Sequence, residues 1–124
     1  MTEATKILVV DDNQALLDTL SIILKRKGFD VDIAGDGFKA LERCHKETFD
    51  IVLMDIVMPG LNGFQATRQL TKDPETAGIP VIIVTTKDQE TDRVWGKRQG
   101  AKDYLTKPVE EATLIKTLKS VLGN

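Results

Sequence analysis

Hydrophobic and polar positions along this chain switch between two periods. Ile7-Leu8-Val9-Val10, Ile51-Val52-Leu53-Met54 and Val81-Ile82-Ile83-Val84 are unbroken apolar runs of strand length. A run with no alternation reads as a strand buried on both faces, as in a parallel sheet. Asp30 to Ala34 alternates instead, with Val31 and Ile33 on one face, and predicts a second strand nearer an edge. Ala101 to Thr106 predicts a short fifth strand.

Between the strands the spacing turns helical. Asn13 to Lys27 carries Leu16, Leu17, Leu20, Ile23 and Leu24 on one face, and Gly28 stops it behind Lys25-Arg26-Lys27. Asp36 is placed to cap a helix over Phe38 to Glu47, with Ala40, Leu41 and Cys44 inward. Asn62 to Lys72 predicts a third helix, packing through Phe64, Ala66, Thr67 and Leu70. Thr86 with Gln89 reads as a capping box for a fourth, Lys87 to Gln99, whose apolar residues are nearly all accounted for by Val94 and Trp95. Glu110 to Leu122 predicts the last, with Leu114, Ile115, Leu118 and Val121 inward. Strand and helix therefore alternate five times. Short connections make this an α/β fold: a doubly wound, five-stranded parallel sheet, flavodoxin-like, with strand order 2-1-3-4-5.

Composition narrows the function classes. At 124 residues, with 41% hydrophobic and 29% charged residues, the chain suits one soluble domain. A net charge of -2 argues against nucleic acid or an anionic membrane as a bulk partner. Cys44 stands alone, which excludes a disulfide and a cysteine-rich metal site and fits a cytoplasmic home. Met1 to Lys6 is polar and carries no signal peptide, and no apolar run approaches the roughly 20 residues of a membrane helix.

The chemistry lies at the strand ends. Asp11 and Asp12 follow the first strand, Asp55 the third, Thr85 the fourth and Lys107 the fifth. All fall at the carboxyl edge of one sheet, where open α/β folds bind ligands. Each has a bland reading: helix caps for Asp11 and Asp12, turn residues for Asp55 and Thr85, a surface lysine for Lys107. The joint pattern, delivered by four strands, argues against coincidence. Three clustered carboxylates need a cation, and an all-oxygen set without His or Cys suits Mg2+, or Mn2+, rather than zinc. A hydroxyl and an ammonium nearby are what a phosphoryl group requires. One carboxylate could then serve as nucleophile toward phosphorus. An aspartyl-phosphate phosphatase would place a second acid two residues after its nucleophile, where Val57 stands. A flavin mononucleotide binder would need a hydroxyl- and glycine-rich loop where Asp11-Asp12 would repel the phosphate.

Val9-Val10-Asp11-Asp12-Asn13, Asp55-Ile56-Val57-Met58-Pro59-Gly60, Thr85, Gly100-Ala101, Asp103-Tyr104 and Lys107-Pro108 together resemble the response-regulator receiver domains, the CheY-like family of two-component signalling. The resemblance covers essentially residues 1–124 and implies a single receiver domain with no output domain. It implies Asp55 as phosphoacceptor, with Asp11, Asp12, Asp55 and the backbone carbonyl of Val57 holding Mg2+. Lys107 and Thr85 would bind the phosphoryl group, Thr85 and Tyr104 would form the switch, and Lys107-Pro108 would be a cis peptide. The implied partners are a sensor histidine kinase and a protein target docking on the fourth helix, fifth strand and fifth helix; the alternative is a phosphate sink with no target. The implied catalysis is limited to the domain's own phosphorylation and dephosphorylation. From Asp55 to Pro108, especially Gly63 to Leu70 and Val94 to Gly100, the chain is similar to single-domain regulators of type IV pilus twitching motility. His45 is expected to be solvated and Cys44 to be a packing residue. Trp95 is read equally as core or as an exposed contact residue.

Overall fold

The computed structural model describes residues 4–123, so the polar amino-terminal reading lies partly outside the described residues, as does Asn124. Five strands and five helices alternate: β1 (Lys6–Val10), α1 (Gln14–Arg26), β2 (Asp30–Ala34), α2 (Gly37–Lys46), β3 (Ile51–Met54), α3 (Gly63–Lys72), β4 (Val81–Thr85), α4 (Glu90–Arg98), β5 (Asp103–Thr106) and α5 (Glu111–Leu122). All pairings are parallel, in the order β2-β1-β3-β4-β5. The doubly wound sheet expected from the pattern is the sheet observed. Among the described residues, no helix is long and apolar enough to cross a membrane.

The apolar runs of β1, β3 and β4 are buried on both faces because alternate residues feed two cores. Leu8, Val10, Val52, Met54 and Val81 meet Ala40, Cys44, Ala66 and Leu70 of α2 and α3. Ile7, Val9, Ile51, Leu53, Ile82 and Val84 meet Leu17, Leu20, Leu24, Leu114 and Leu118 of α1 and α5. Cys44 is a packing residue, and burial pushes its thiol up to about 11. Caps set the helix starts. Asn13 accepts from Leu16 N–H at 3.2 Å, Asp36 from Lys39 N–H at 2.8 Å, and Asn62 and Gln65 close a reciprocal capping box.

Ile33, on the edge strand β2, is 40% exposed while Val31 is buried. Three local expectations are corrected. The fifth strand starts at Asp103, since Gly100, at φ +105°, turns the chain and Ala101 N–H still bonds Gly96 C=O at 3.2 Å. α4 starts at Glu90, with Gln89 as a cap that makes no side-chain bond. The Thr86–Gln89 capping box does not form because the preceding backbone is used elsewhere: Lys87 C=O accepts from Tyr104 hydroxyl at 2.7 Å, and Lys87 N–H points to Thr85 Oγ1 at 3.4 Å. Trp95, left open between core and surface, is 48% exposed beside Val94 at 45%.

His45 is exposed, as expected, but not free. Its Nδ1 lies 2.7 Å from Leu41 C=O and its Nε2 2.7 Å from Asp73 Oδ2. Both ring nitrogens face acceptors, so only the imidazolium satisfies both. The Leu41 carbonyl first, then Asp73, hold its pKa above 6.5. A raised histidine stabilises the fold fully below its unfolded pKa, and that contribution disappears as pH rises through the folded pKa. His45→Gln should therefore lower the melting temperature at about pH 5.5 and leave it unchanged at about pH 8.5, measured by circular dichroism. An equal loss at both pH values would contradict the imidazolium tie.

Candidate functional site

The site forms where β1 and β3 end side by side. Asp11 N–H bonds Ala34 C=O at 3.1 Å and Asp55 N–H bonds Val10 C=O at 3.0 Å, so the ladders extend one residue past each strand and hold both aspartates at the same edge. Asp11 and Asp55 are buried, at 3% and 5% exposure, while Asp12 is exposed. Each of the three offers an oxygen, and the three oxygens lie within 4.8 Å of one another.

Lys107 reaches this cluster from the end of β5. Its Nζ lies 2.6 Å from Asp11 Oδ2 and 3.6 Å from Asp55 Oδ2. Its own N–H bonds Thr85 C=O at 2.8 Å, and the Lys107-Pro108 peptide is cis. The remaining carboxylate oxygens are held by backbone: Asp11 Oδ1 accepts from Asn13 N–H at 2.9 Å, and Asp55 Oδ1 from Ile56 N–H at 2.8 Å. Burial pushes the Asp55 carboxyl above its ordinary pKa, and the Asp11 charge adds to that. Lys107, the Thr85 hydroxyl and the Ile56 N–H oppose the shift.

Thr85 is fully buried at the end of β4, with the long 3.4 Å contact from Lys87 N–H to its hydroxyl. Val57 stands in the loop after β3 with its side chain 54% exposed. Tyr104 is 3% exposed and lies inward, its hydroxyl bonded to Lys87 C=O. Asp11, Asp12, Asp55 and Lys107 are thus brought together, Thr85 borders them, and Tyr104 occupies the next layer outward.

Two contributors escape the pattern of strand-end residues. Gly63, the first residue of α3, bonds Ile56 C=O at 3.0 Å, and a Cβ there would stand 2.0 Å from the Asp55 carbonyl oxygen. The Asn62-Gly63 dipeptide signals a turn but not this approach. Arg93 donates to Tyr104 C=O at 3.2 Å and lies over its ring at 5.1 Å. Nothing in the spacing of α4 marks it.

The donor set fits Mg2+: three carboxylates converge, two of them buried as like charges beside one ammonium, with no imidazole or thiolate among them. An acidic, oxygen-only cleft with a lysine can hold a divalent cation and a phosphoryl group together.

Comparison with known proteins points the same way. Residues 7–119 match the family described as the response regulator receiver domain. The chain is 62% identical over 118 residues to protein PilH of Pseudomonas aeruginosa, covering 95% of this chain and 98% of that one. It is 39% identical over 118 residues to the sensory transduction protein RegX3 of Mycolicibacterium smegmatis, of which it spans 50%. Among solved structures, the Vibrio cholerae chemotaxis protein CheY4 superposes with a TM-score of 0.91 at 32% identity, over 96% of this chain and 99% of that one. The receiver domain of the Pseudomonas aeruginosa PAO1 sensor histidine kinase PA1611, with a magnesium ion coordinated in its active-site cleft, gives 0.90 at 30% identity, over 98% of this chain and 100% of that one.

Proposed function

The chain belongs to the response regulator receiver family, and on that premise we propose that it works as a cytoplasmic receiver, like the PilH protein it resembles over 98% of that protein's length, and takes a phosphoryl group from a histidine kinase onto Asp55. The observation that carries this reading is Lys107 Nζ set between Asp11 and Asp55, three residues from three strand ends converging on one edge. Asp11, Asp12, Asp55 and the Val57 carbonyl would hold Mg2+, with Mn2+ a substitute. When bound, the ion neutralises the carboxylates and the oxygens of an incoming phosphoryl group.

An Asp55 carboxylate oxygen attacks phosphorus as the bond from phosphorus to the kinase imidazole nitrogen breaks. The imidazole leaves with that electron pair and later takes a proton from solvent. Lys107, already within 3.6 Å of Asp55, pairs with the transferred oxygens, and the Thr85 hydroxyl donates to them. Val57 and Lys87 border the site without a carboxylate or amide to position an attacking water, so dephosphorylation is slow. The chain catalyses nothing beyond its own phosphorylation and dephosphorylation.

Output is protein binding on the α4–β5–α5 face, where exposed Val94 and Trp95 supply an apolar contact that a pure phosphate sink would not need. The likeness to PilH, with the segments Gly63 to Leu70 and Val94 to Gly100, supports a place in type IV pilus twitching motility or a related chemotaxis-like system. No nucleic acid and no membrane is expected as partner.

The test uses a phosphorylated histidine kinase and Asp12→Ala. Label passes to the wild-type chain in Mg2+ and is lost when the metal is chelated. Mg2+ also raises the melting temperature of the wild type, by the equivalent of about 2.7 kcal/mol at a hundredfold excess over Kd. Asp12→Ala preserves or raises the metal-free melting temperature, because one like charge is gone, and erases the Mg2+ increment. A variant that keeps the full increment contradicts the ligand role.

A further inference from the structure

We propose that His45, Asp73 and Glu75 form a second metal site, a Zn2+ site that ties the end of α2 to the end of α3. It stands apart from Asp55 and does not depend on the receiver reading. The three residues offer ligand atoms that all lie within 4.8 Å of one another, as do Asp11, Asp12 and Asp55. The two groups differ in chemistry. The strand-end cluster offers oxygen alone, whereas this one adds an imidazole, which selects Zn2+ over Mg2+.

The ligand atoms are aimed by their neighbours. His45 Nδ1 lies 2.7 Å from Leu41 C=O, one helical turn back. A carbonyl can only accept, so Nδ1 carries the hydrogen and the neutral ring presents a bare lone pair at Nε2. That nitrogen lies 2.7 Å from Asp73 Oδ2 and 3.8 Å from Glu75 Oε2. Asp73 is held as well: its Oδ1 accepts from Glu75 N–H at 2.9 Å, which leaves Oδ2 to face the ring. A carbonyl on the far ring nitrogen and a donor on the far carboxylate oxygen are the contacts that orient metal ligands.

The cluster lacks a cation of its own. Among the described residues, no lysine or arginine nitrogen lies within 4.0 Å of the Asp73 or Glu75 carboxylate, although Lys72 and Arg68 line the same surface depression as His45. A lone pair facing two carboxylates is repulsive unless positive charge lies between them. A proton on Nε2 serves the close Asp73 contact, whereas a divalent ion serves all three groups.

The spacing suits zinc. Tetrahedral bonds of about 2.0–2.2 Å place ligand atoms roughly 3.3–3.6 Å apart. The two separations from Nε2, 2.7 and 3.8 Å, straddle that range. Glu75 is the most exposed of the three, at 78% of its side chain, and is free to rotate inward, while water can take the fourth position. His45 lies in the last turn of α2 and Asp73 caps the C-terminus of α3. The ion therefore meets the negative ends of two helix dipoles. α3 starts against the Asp55 carbonyl at Gly63 and runs for 10 residues, about 15 Å, so its far end lies well away from the strand-end cluster.

The test is calorimetric titration of the full chain with ZnCl2 at about pH 8, where His45→Gln is expected to be as stable as the wild type, with saturating Mg2+ present to compete for the strand-end cluster. The proposal predicts a Zn2+ ion that depends on His45 and raises the melting temperature. His45→Gln and Glu75→Gln should each weaken that binding by about tenfold or more, as loss of one ligand of three requires, and Asp12→Ala should leave it unchanged. Co2+ in its place should give the visible absorption of a four-coordinate ion, lost in His45→Gln. A wild type that binds no Zn2+, or binding as tight in His45→Gln as in the wild type, overturns the site. Binding lost in Asp12→Ala and kept in His45→Gln overturns it too, since the ion then sits at the strand ends. Undiminished binding in Glu75→Gln overturns the three-ligand set.

Discussion

Gly63→Ala should cost the domain about 3 kcal/mol or more, a large fraction of the roughly 5–15 kcal/mol by which a domain is stable. The added Cβ would lie 2.0 Å from the Asp55 carbonyl oxygen and 2.7 Å from Ile56 Cα, and both are backbone atoms with no rotamer to retreat into. To admit a methyl group, either α3 must back away from the strand end or the loop carrying Asp55 must move. Either change also disturbs the site, because Ile56 N–H holds Asp55 Oδ1 at 2.8 Å. Gly78→Ala is the control: nothing lies within 4 Å of its Cβ position. It should be neutral or stabilising by up to about 1 kcal/mol, through the unfolded chain. Urea unfolding of the two variants measures both. A Gly63→Ala midpoint indistinguishable from wild type would mean that α3 does not close on the Asp55 loop in this way.

Asp55→Asn should remove the function and raise the stability of the metal-free domain. The amide oxygen can still accept from Ile56 N–H, and Lys107 keeps its 2.6 Å contact to Asp11. What disappears is a buried charge whose folded pKa is raised, first by burial and then by Asp11. For a carboxylate with a raised folded pKa, the charged form weakens the fold at neutral pH. Stability is regained as pH falls through the folded value, and the penalty is gone below the unfolded one. The gain from Asp55→Asn should therefore be a few degrees in melting temperature at neutral pH and should vanish in acid. A metal-free Asp55→Asn domain less stable than wild type at neutral pH would show that Asp55 is held by more than the structure displays.

Much of this was legible in the chain. The runs of β1, β3 and β4 could be read because a doubly buried strand has no polar position to confuse the period. Asp11, Asp55, Thr85 and Lys107 each have a bland reading alone and stand out only together, because four strand ends deliver them to one edge of the sheet. Three kinds of feature were hidden. Ile33 follows a strand alternation faithfully and is still exposed, because alternation says which face a residue takes and not whether a helix covers that stretch of it. The start of α4 was misplaced because Thr86 and Gln89 satisfy a local capping rule, while the Lys87 carbonyl is claimed by Tyr104, 17 residues away. Gly63 and Arg93 act through contacts across the fold, and glycine's contribution is the absence of a side chain, which no periodicity records.

The account stands on Asp55 as the residue that accepts a phosphoryl group. The direct measurement is intact mass after incubation with acetyl phosphate and Mg2+, on wild type and Asp55→Asn, followed by peptide mapping of the adduct. The account predicts one lasting phosphoryl adduct on the wild type, mapping to the peptide that holds Asp55, lost when Mg2+ is chelated, and absent from the variant. Undiminished labelling of Asp55→Asn, or a folded wild type that takes no phosphoryl group in saturating Mg2+, would contradict it.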